Sequence, residues 1–146
     1  MPTLTEVLNS DAKKAAVVDD CCVLIDDEVR DKGGLSGFAI KAGYAAVKGI
    51  KPGFIKQVVT DLLPEFSAAL DPLYQEALAQ GKPVGDHLRS NAPRAADALL
   101  AITDGRAAKT NSGIVKATYE KLRPLAKKNV EAAMPRVSRM IDKHAR

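Results

Sequence analysis

Aromatic residues, cysteines and strand signals are all scarce in this chain of 146 residues. Aromatic residues make up 4% of it, tryptophan is missing, and no segment alternates apolar and polar residues as a strand does. The two cysteines are neighbours, Cys21 and Cys22, which excludes the disulfide framework of a small secreted domain. Adjacent side chains on a helix point about 100° apart, so a shared metal ion is disfavoured and we expect a structural pair of thiols.

Long apolar runs are missing as well. No run approaches the roughly 20 apolar residues that a membrane-spanning helix needs. The N-terminal MPTLTEVLNSD has neither the basic region nor the apolar region of a secretory signal. We therefore predict a cytoplasmic protein without a transmembrane segment.

Small aliphatic residues take the place of rings and strand formers. Hydrophobic residues make up 46% of the chain and charged residues 27%, which are ordinary values for a globular protein. A core of alanine, leucine, valine and isoleucine favours helices packed on helices, because small side chains let two helices approach closely. We predict an all-α fold, a single domain over residues 1–146 with six or seven helices, several of them broken or kinked at prolines.

Capping residues, glycines and prolines predict where the helices begin and end. Thr3 and Glu6 have the spacing of a capping box at the start of a short first helix, and Ser10 or Asp11 is expected to cap the second. Further predicted starts are Ser36, Pro52, Asp71-Pro72, Asp86 or Ser90, Pro93 and the stretch 110–113; predicted stops are Gly33-Gly34, Gly81 and Gly105; Pro64, Pro124 and Pro135 are predicted kinks or breaks. The predicted inward line of the last helical stretch is Val115, Tyr119, Leu122, Ala126, Ala133, Val137 and Met140.

One segment stands out by its composition. Residues 32–60 contain five lysines and six glycines but no acid. A glycine inside a helix costs about 1 kcal/mol relative to alanine, so Gly37, Gly43 and Gly49 indicate that another backbone comes close. We expect a close-packed central helix here that touches the long C-terminal helix or its counterpart in a homodimer. Its lysines would face the acidic segment 11–32 or an anionic ligand.

The glycine-rich turn at the start of this segment has two interpretations. Backbone N–H groups at a helix N-terminus bind anions, and lysines follow on the same helix. The turn lacks the Gly-Lys-Ser/Thr of a P-loop and a preceding strand, so a helix stop with a tight interhelical turn is the favoured interpretation. The candidate ligand-binding residues are Gly34, Ser36, Gly37, Lys41, Lys48 and Lys51.

The C-terminal part of the chain is strongly basic. Residues 106–146 hold eleven bases and three acids. Lys116, Arg123 and Lys127 are spaced by seven and four residues and share a helix face; with Lys128 they form a candidate surface for nucleic acid or an anionic membrane. A solvated face that balances the acidic segment 11–32 is the simpler interpretation. The scarcity of aromatic residues and the smaller number of arginines than lysines argue against readout of bases.

Groups that could carry catalysis do not converge in the sequence. His87 and His144 are far apart and neither lies in a metal-ligand motif, so we predict no catalytic residue, no metal ligand and no cofactor. The leading prediction is a non-enzymatic binding or interaction protein, with an anionic or amphipathic small ligand near segment 33–56. The alternative is association with nucleic acid or an anionic membrane through the basic C-terminal helices, and an enzyme is the third possibility.

A resemblance covers nearly the whole chain. The run GLSGFAIKAGYAAVKGIKPGF, with ALDPLY, ADALLA and YEKLRPLAKK further on, resembles a family of small bacterial all-helical proteins of unknown function. The resemblance implies a helical fold in which the glycine-lysine segment is a family hallmark. It implies no activity, ligand or site residue.

Overall fold

The computed structural model describes residues 3–145, and these residues form helices but no strand. In the described part of the chain the helices are α1 (Leu4–Leu8), α2 (Lys14–Asp31), α3 (Gly34–Lys48), α4 (Phe54–Ala79), α5 (Val84–Ser90), α6 (Ala92–Lys109) and α7 (Gly113–His144). The predicted all-α fold and the predicted number of helices are confirmed. None of the helices within residues 3–145 has both the length and the apolar character needed to cross a membrane.

The buried side chains concentrate at one end of the bundle, which we call the core end. There α1, the first half of α2, the second half of α4, α5, the start of α6 and the second half of α7 pack together. The core residues are Leu4, Leu8, Val17, Val18, Leu63, Leu70, Leu73, Tyr74, Leu88, Ala95, Met134 and Ile141. At the opposite end, which we call the open end, α3 contacts the first parts of α4 and α7, and the last part of α6 packs against the same two helices. Between residues 101 and 133 no residue is fully buried.

Several predicted helix boundaries are confirmed by their hydrogen bonds. The Thr3 hydroxyl accepts a hydrogen bond from the Glu6 N–H at 3.1 Å, and the Ser112 hydroxyl accepts one from the Val115 N–H at 3.3 Å. These side chains satisfy N–H groups that a helix leaves without an internal partner. Gly81 follows α4 with a φ of 65°, a left-handed conformation that glycine adopts without strain, and Pro93 lies in the first turn of α6.

The predicted starts of α2 and α3 are wrong. Neither Ser10 nor Asp11 caps α2: the Ser10 carbonyl accepts hydrogen bonds from the N–H groups of residues 13 and 14, and this turn delays the helix to Lys14. Ser36 does not cap α3 either, because Gly34 has a φ of 72° and lets the chain turn directly into the helix two residues earlier.

The predicted starts at Pro52 and at Asp86 or Ser90 are also displaced. Gly53, with a φ of 74°, precedes α4, and Pro83 precedes α5. Gly105 was expected to stop α6, but the helix continues four residues beyond it to Lys109. A single glycine costs only about 1 kcal/mol in a helix, and packing of α6 against α4 and α7 outweighs that cost.

The prolines do not divide the long helices. Pro64 lies inside α4 and Pro124 and Pro135 lie inside α7, so of the two predicted alternatives, kinks and breaks, the breaks are excluded. Asp71-Pro72 does not begin a helix either, since both residues lie inside α4, and the Asp71 carboxylate has another partner. It accepts a hydrogen bond from the Leu4 N–H at 2.8 Å and so satisfies the start of α1.

The inward line of α7 differs by one position from the predicted one. The fully buried residues are Met134, Ser138, Ile141 and His144, whereas Val137 and its predicted neighbours Ala133 and Met140 are half-buried. The second half of α7 packs against both α2 and α5. The side of α7 that lies between these two helices is therefore the buried one.

The glycine-rich helix α3 lies at the edge of the bundle. A Cβ on Gly43 would lie 2.9 Å from a Leu122 methyl group and 3.0 Å from the Thr118 methyl group, so the predicted close contact with α7 is confirmed. The predicted central position is wrong, because in α3 only Gly37 is fully buried. The large apolar residues Leu35 and Phe38 are 92% and 74% exposed.

Candidate ligand-binding groove

A groove of about 890 Å³ runs across the open end of the bundle. Its walls come from the end of α3, the first three turns of α4, the second half of α6 and the start of α7. The apolar lining residues are Val47, Phe54, Ile55, Val58, Leu62, Ala101, Ile102, Gly105, Ala107 and Val115; the polar ones are Asp61, Glu65, Thr103, Arg106, Lys109, Thr110 and Tyr119.

The groove follows from the spacing and the size of the side chains along α4 and α6. Ile55, Val58 and Leu62 are three and four residues apart and therefore lie on one face of α4. The opposing part of α6 presents small residues, and a Cβ placed on Gly105 would meet no atom within 4 Å. Because α6 does not fill the space, Ile55 and Val58 remain half-buried.

An ion pair borders the groove where α4 and α6 approach each other. Arg106 donates hydrogen bonds from Nε and Nη2 to the two carboxylate oxygens of Glu65, each at 3.0 Å, and from Nη2 to the Asp61 carbonyl at 3.2 Å. The Arg106 guanidinium holds the pKa of Glu65 below its usual value. Lys109, one turn further along α6, also lowers the Glu65 pKa electrostatically, but it forms no salt bridge with any residue in the range 3–145.

A second polar cluster lies beside Tyr119 at the start of α7. The Tyr119 hydroxyl donates to Asp104 and is 2.8 Å from the Thr103 hydroxyl, and Arg123 holds both Asp104 oxygens at 2.8 and 3.2 Å. Burial raises the pKa of Tyr119, and the hydrogen bond to Asp104 raises it further. The phenol therefore keeps its proton at neutral pH, which suits a hydrogen-bonding group better than a general base.

The predicted ligand-binding residues are not gathered into one site. Gly34, Ser36, Gly37 and Lys41 belong to the first half of α3, outside the groove lining. Lys48 pairs with Asp26 of α2 at 3.8 Å. Lys51 lies 5.9 Å above the ring of Phe54, which lines the groove. Lys56 likewise pairs with Asp19 of α2 at 3.4 Å. Two lysines of the segment therefore face the acidic segment 11–32, which was one of the two predicted alternatives.

Sequence reasoning missed Glu65, Arg106 and Lys109 as groove residues. A signal was present, because Arg106 and Lys109 lie one turn apart just after the small residues of α6, and Asp61 and Glu65 lie one turn apart on α4. Without the packing of α4 against α6, nothing in the sequence joins the two pairs.

The candidate nucleic-acid or membrane surface is split by ion pairs. Arg123 is held by Asp104, and Lys127 pairs with Asp97 of α6 at 3.1 Å. Lys116 and Lys128 are exposed and form no ion pair within residues 3–145. The acids of α6 thus neutralise half of the predicted surface.

The histidines and the cysteines lie away from the groove. His87 Nε2 is 3.0 Å from Glu76, and His144 Nε2 is 2.5 Å from Asp20, so both buried rings are held by carboxylates. Burial raises the pKa of Cys21 to about 12, which disfavours a reactive thiolate. No group of three or more histidine, cysteine or acidic residues in the described part of the chain is arranged to hold a metal ion.

Fold and groove together define an all-helical protein with one well-packed end and a ligand-sized groove at the other. The chain belongs to a family of unknown function, DUF6918, which matches residues 4–145. The predicted membership of an uncharacterised helical family is therefore confirmed. No curated protein and no solved structure matches the chain.

Proposed function

We propose that this protein is a non-enzymatic binding protein whose groove holds an amphipathic small molecule with an apolar body and an anionic head group. The apolar body lies between α4 and α6, and the head group lies at Lys109. The observation that carries the proposal is the groove of about 890 Å³, whose apolar walls are left half-buried by the chain itself.

The size and the lining of the groove support an apolar ligand. Small-molecule sites have volumes of roughly 300 to 1,000 Å³ and combine mostly apolar walls with a few polar groups. Phe54, Ile55 and Val58 each retain apolar surface, and covering such surface contributes about 25 cal/mol per Å². A ligand that covers this exposed apolar surface therefore gains binding free energy from its burial.

The charges around the groove support an anionic head group. The carboxylate of Glu65 is occupied by Arg106, and that of Asp61 accepts a hydrogen bond from Gln57 at 3.0 Å. Lys109 is the lining cation without a salt bridge among the described residues. An anion at this position gains a partner without breaking an existing ion pair.

Competition between a fluorescent probe and a fatty acid tests the proposal. We expect the anionic dye anilinonaphthalene sulfonate to bind saturably and dodecanoate to displace it. Gly105→Phe places a ring where the structure has open space, and should weaken dodecanoate binding at least about tenfold. Lys109→Gln should weaken dodecanoate about tenfold and leave neutral dodecanol unaffected, because only the charged head group loses its partner.

Two variants serve as matched controls for this experiment. Gly105→Ala changes the same position without reaching across the groove, and Lys116→Gln removes an exposed lysine that does not line it. Both should bind dodecanoate as the unaltered protein does. The proposal is refuted if the unaltered protein shows no saturable binding, or if Gly105→Phe, folded by circular dichroism, binds as tightly as Gly105→Ala.

A cytoplasmic location is part of the same proposal. Cys21 and Cys22 both carry free thiols, and such thiols suit a reducing compartment.

A further inference from the structure

A second surface, on the outer side of α3 and α7, is independent of the groove. On α3 it consists of Leu35, Phe38 and Ala42, all exposed. On α7 it consists of Lys121, Lys128 and Arg139, which are exposed and form no ion pair within residues 3–145. We call these six residues the α3–α7 outer face.

The three cations share one side of α7. They are seven and eleven residues apart, close to two and three turns of a helix, so they project in the same direction within about 20°. The three acids of α7, Glu120, Glu131 and Asp142, project about 40 to 100° away from this line, and Asp142 accepts a hydrogen bond from the Gly85 N–H at 2.9 Å. Of the basic residues of α7 that do have partners, Arg123 and Lys127 point toward acids of α6, and Arg136 and Lys143 pair with acids of α2.

The apolar residues of α3 lie beside this basic line because the two helices run antiparallel. Gly43, in the middle of α3, faces Thr118 and Leu122, whereas Glu28 and Asp31, just before α3, bind Arg136. Leu35 precedes Gly43 by eight residues, about 12 Å along the helix, and therefore lies toward Lys128. Helix α3 contributes no acid to the face.

We propose that the α3–α7 outer face docks on an anionic lipid surface, with Leu35 and Phe38 entering the interface and the cations meeting lipid phosphates. Exposed leucine and phenylalanine next to unpaired lysines is the combination that interfacial helices use. The charge of the face argues against a second copy of the chain, since a two-fold pairing would bring lysines of like sign together. The protruding apolar side chains argue against nucleic acid, whose phosphate backbone offers them no apolar partner.

Flotation with lipid vesicles tests the inference on the full chain. We expect binding to vesicles of equal parts phosphatidylcholine and phosphatidylglycerol, and no binding to phosphatidylcholine alone. Each basic residue near an anionic membrane contributes about fivefold in affinity, so Lys121→Gln/Lys128→Gln should weaken binding about twentyfold. Leu35→Ser/Phe38→Ser should weaken it at least about tenfold. Binding should also disappear near 1 M salt, where charges are screened beyond about 3 Å.

Matched controls separate this face from the net charge of the protein. Lys82→Gln/Lys116→Gln removes the same charge from two exposed lysines elsewhere, and Val23→Ser removes an apolar side chain that is 58% exposed on α2. Both should bind anionic vesicles as the unaltered protein does. Equal losses in control and test variants would overturn the inference, as would failure of the unaltered protein to float. So would a dimer that Leu35→Ser/Phe38→Ser dissociates, or DNA binding by a protein that does not float.

Discussion

Two glycine-to-alanine substitutions should change stability in opposite directions, although both glycines lie in helices with ordinary backbone angles. Gly37 lies in the first turn of α3 and Gly105 in the second half of α6. In a helix interior alanine is favoured over glycine by about 1 kcal/mol, so helix propensity alone predicts stabilisation at both positions. The difference between them lies in what the new methyl group meets.

At Gly105 the methyl group meets nothing. No atom lies within 4 Å of a Cβ placed there, so the propensity gain is undiminished. Gly105→Ala should raise the free energy of unfolding by about 1 kcal/mol. For a chain of this size that corresponds to a rise of about 2 to 4 °C in the melting temperature.

At Gly37 the methyl group collides with the backbone of Lys32. A Cβ there would lie 2.7 Å from the Lys32 carbonyl carbon and 2.9 Å from its oxygen. This backbone cannot move freely, because the Lys32 side chain pairs with Glu28 at 3.1 Å and Glu28 in turn binds Arg136. Overpacking of this kind costs about 1 to 3 kcal/mol. After the propensity gain, Gly37→Ala should lower the free energy of unfolding by up to about 2 kcal/mol.

Urea unfolding followed by far-ultraviolet circular dichroism measures both effects on the same scale. The slopes of the two transitions should match that of the unaltered protein, since neither substitution changes the area exposed on unfolding. If Gly37→Ala is as stable as Gly105→Ala, the close approach of α2 and α3 at Lys32 does not exist, and the explanation for the glycines of α3 fails.

Two further predictions concern buried hydroxyls and acid sensitivity. Ser138 is fully buried and its hydroxyl has no hydrogen-bond partner among residues 3–145, so Ser138→Ala should stabilise the protein by about 1 kcal/mol in urea unfolding. Ser67→Ala should destabilise it by a similar amount, because the Ser67 hydroxyl accepts a hydrogen bond from Asn9 and donates one to the Leu63 carbonyl; equal effects of the two substitutions would contradict this reasoning. The bonds from Arg94 and then His87 lower the pKa of Glu76 from 4.5 to about 2. As the pH falls, the unfolded chain therefore takes up the Glu76 proton before the folded chain does, and stability decreases as the pH drops from about 4.5 to about 2. Glu76→Gln should flatten this part of the dependence of the melting temperature on pH. An unchanged profile would show that the Glu76–Arg94 ion pair contributes nothing to this dependence.

The sequence was sufficient for the fold class but not for every helix boundary. Local signals succeeded where the chain uses them locally, as at Thr3 and Ser112, whose hydroxyls bind N–H groups three residues away. They failed where tertiary contacts recruit the same residue. Asp71 has the pattern of a cap before a proline, yet its carboxylate binds the N–H of Leu4, sixty-seven positions earlier in the chain.

The candidate sites were less predictable than the fold because charge pairing depends on packing. The sequence alone predicts a basic surface that consists of Lys116, Arg123, Lys127 and Lys128. Only the contact of α6 with α7 shows that Asp104 and Asp97 neutralise Arg123 and Lys127. The groove could not be predicted from the sequence for the same reason, because it too depends on how the helices pack. It is defined by side chains that α4 and α6 fail to bury, and a sequence pattern records which residues are apolar but not which remain uncovered.

The glycines of α3 account for the shape of the open end. Gly37 and Gly43 place backbone, not side chains, against α2 and α7, so the helix contributes little apolar volume to the interior. Its large residues point elsewhere: Val47 lines the groove, while Leu35 and Phe38 face outward. Full burial of a leucine or phenylalanine contributes about 1.5 to 3 kcal/mol, and folding of this chain forgoes that contribution at both outward positions. A contact outside the chain would recover it. The backbone approach of α3 is therefore common to both proposals, the small ligand on the groove side of the helix and the lipid surface on its outer side.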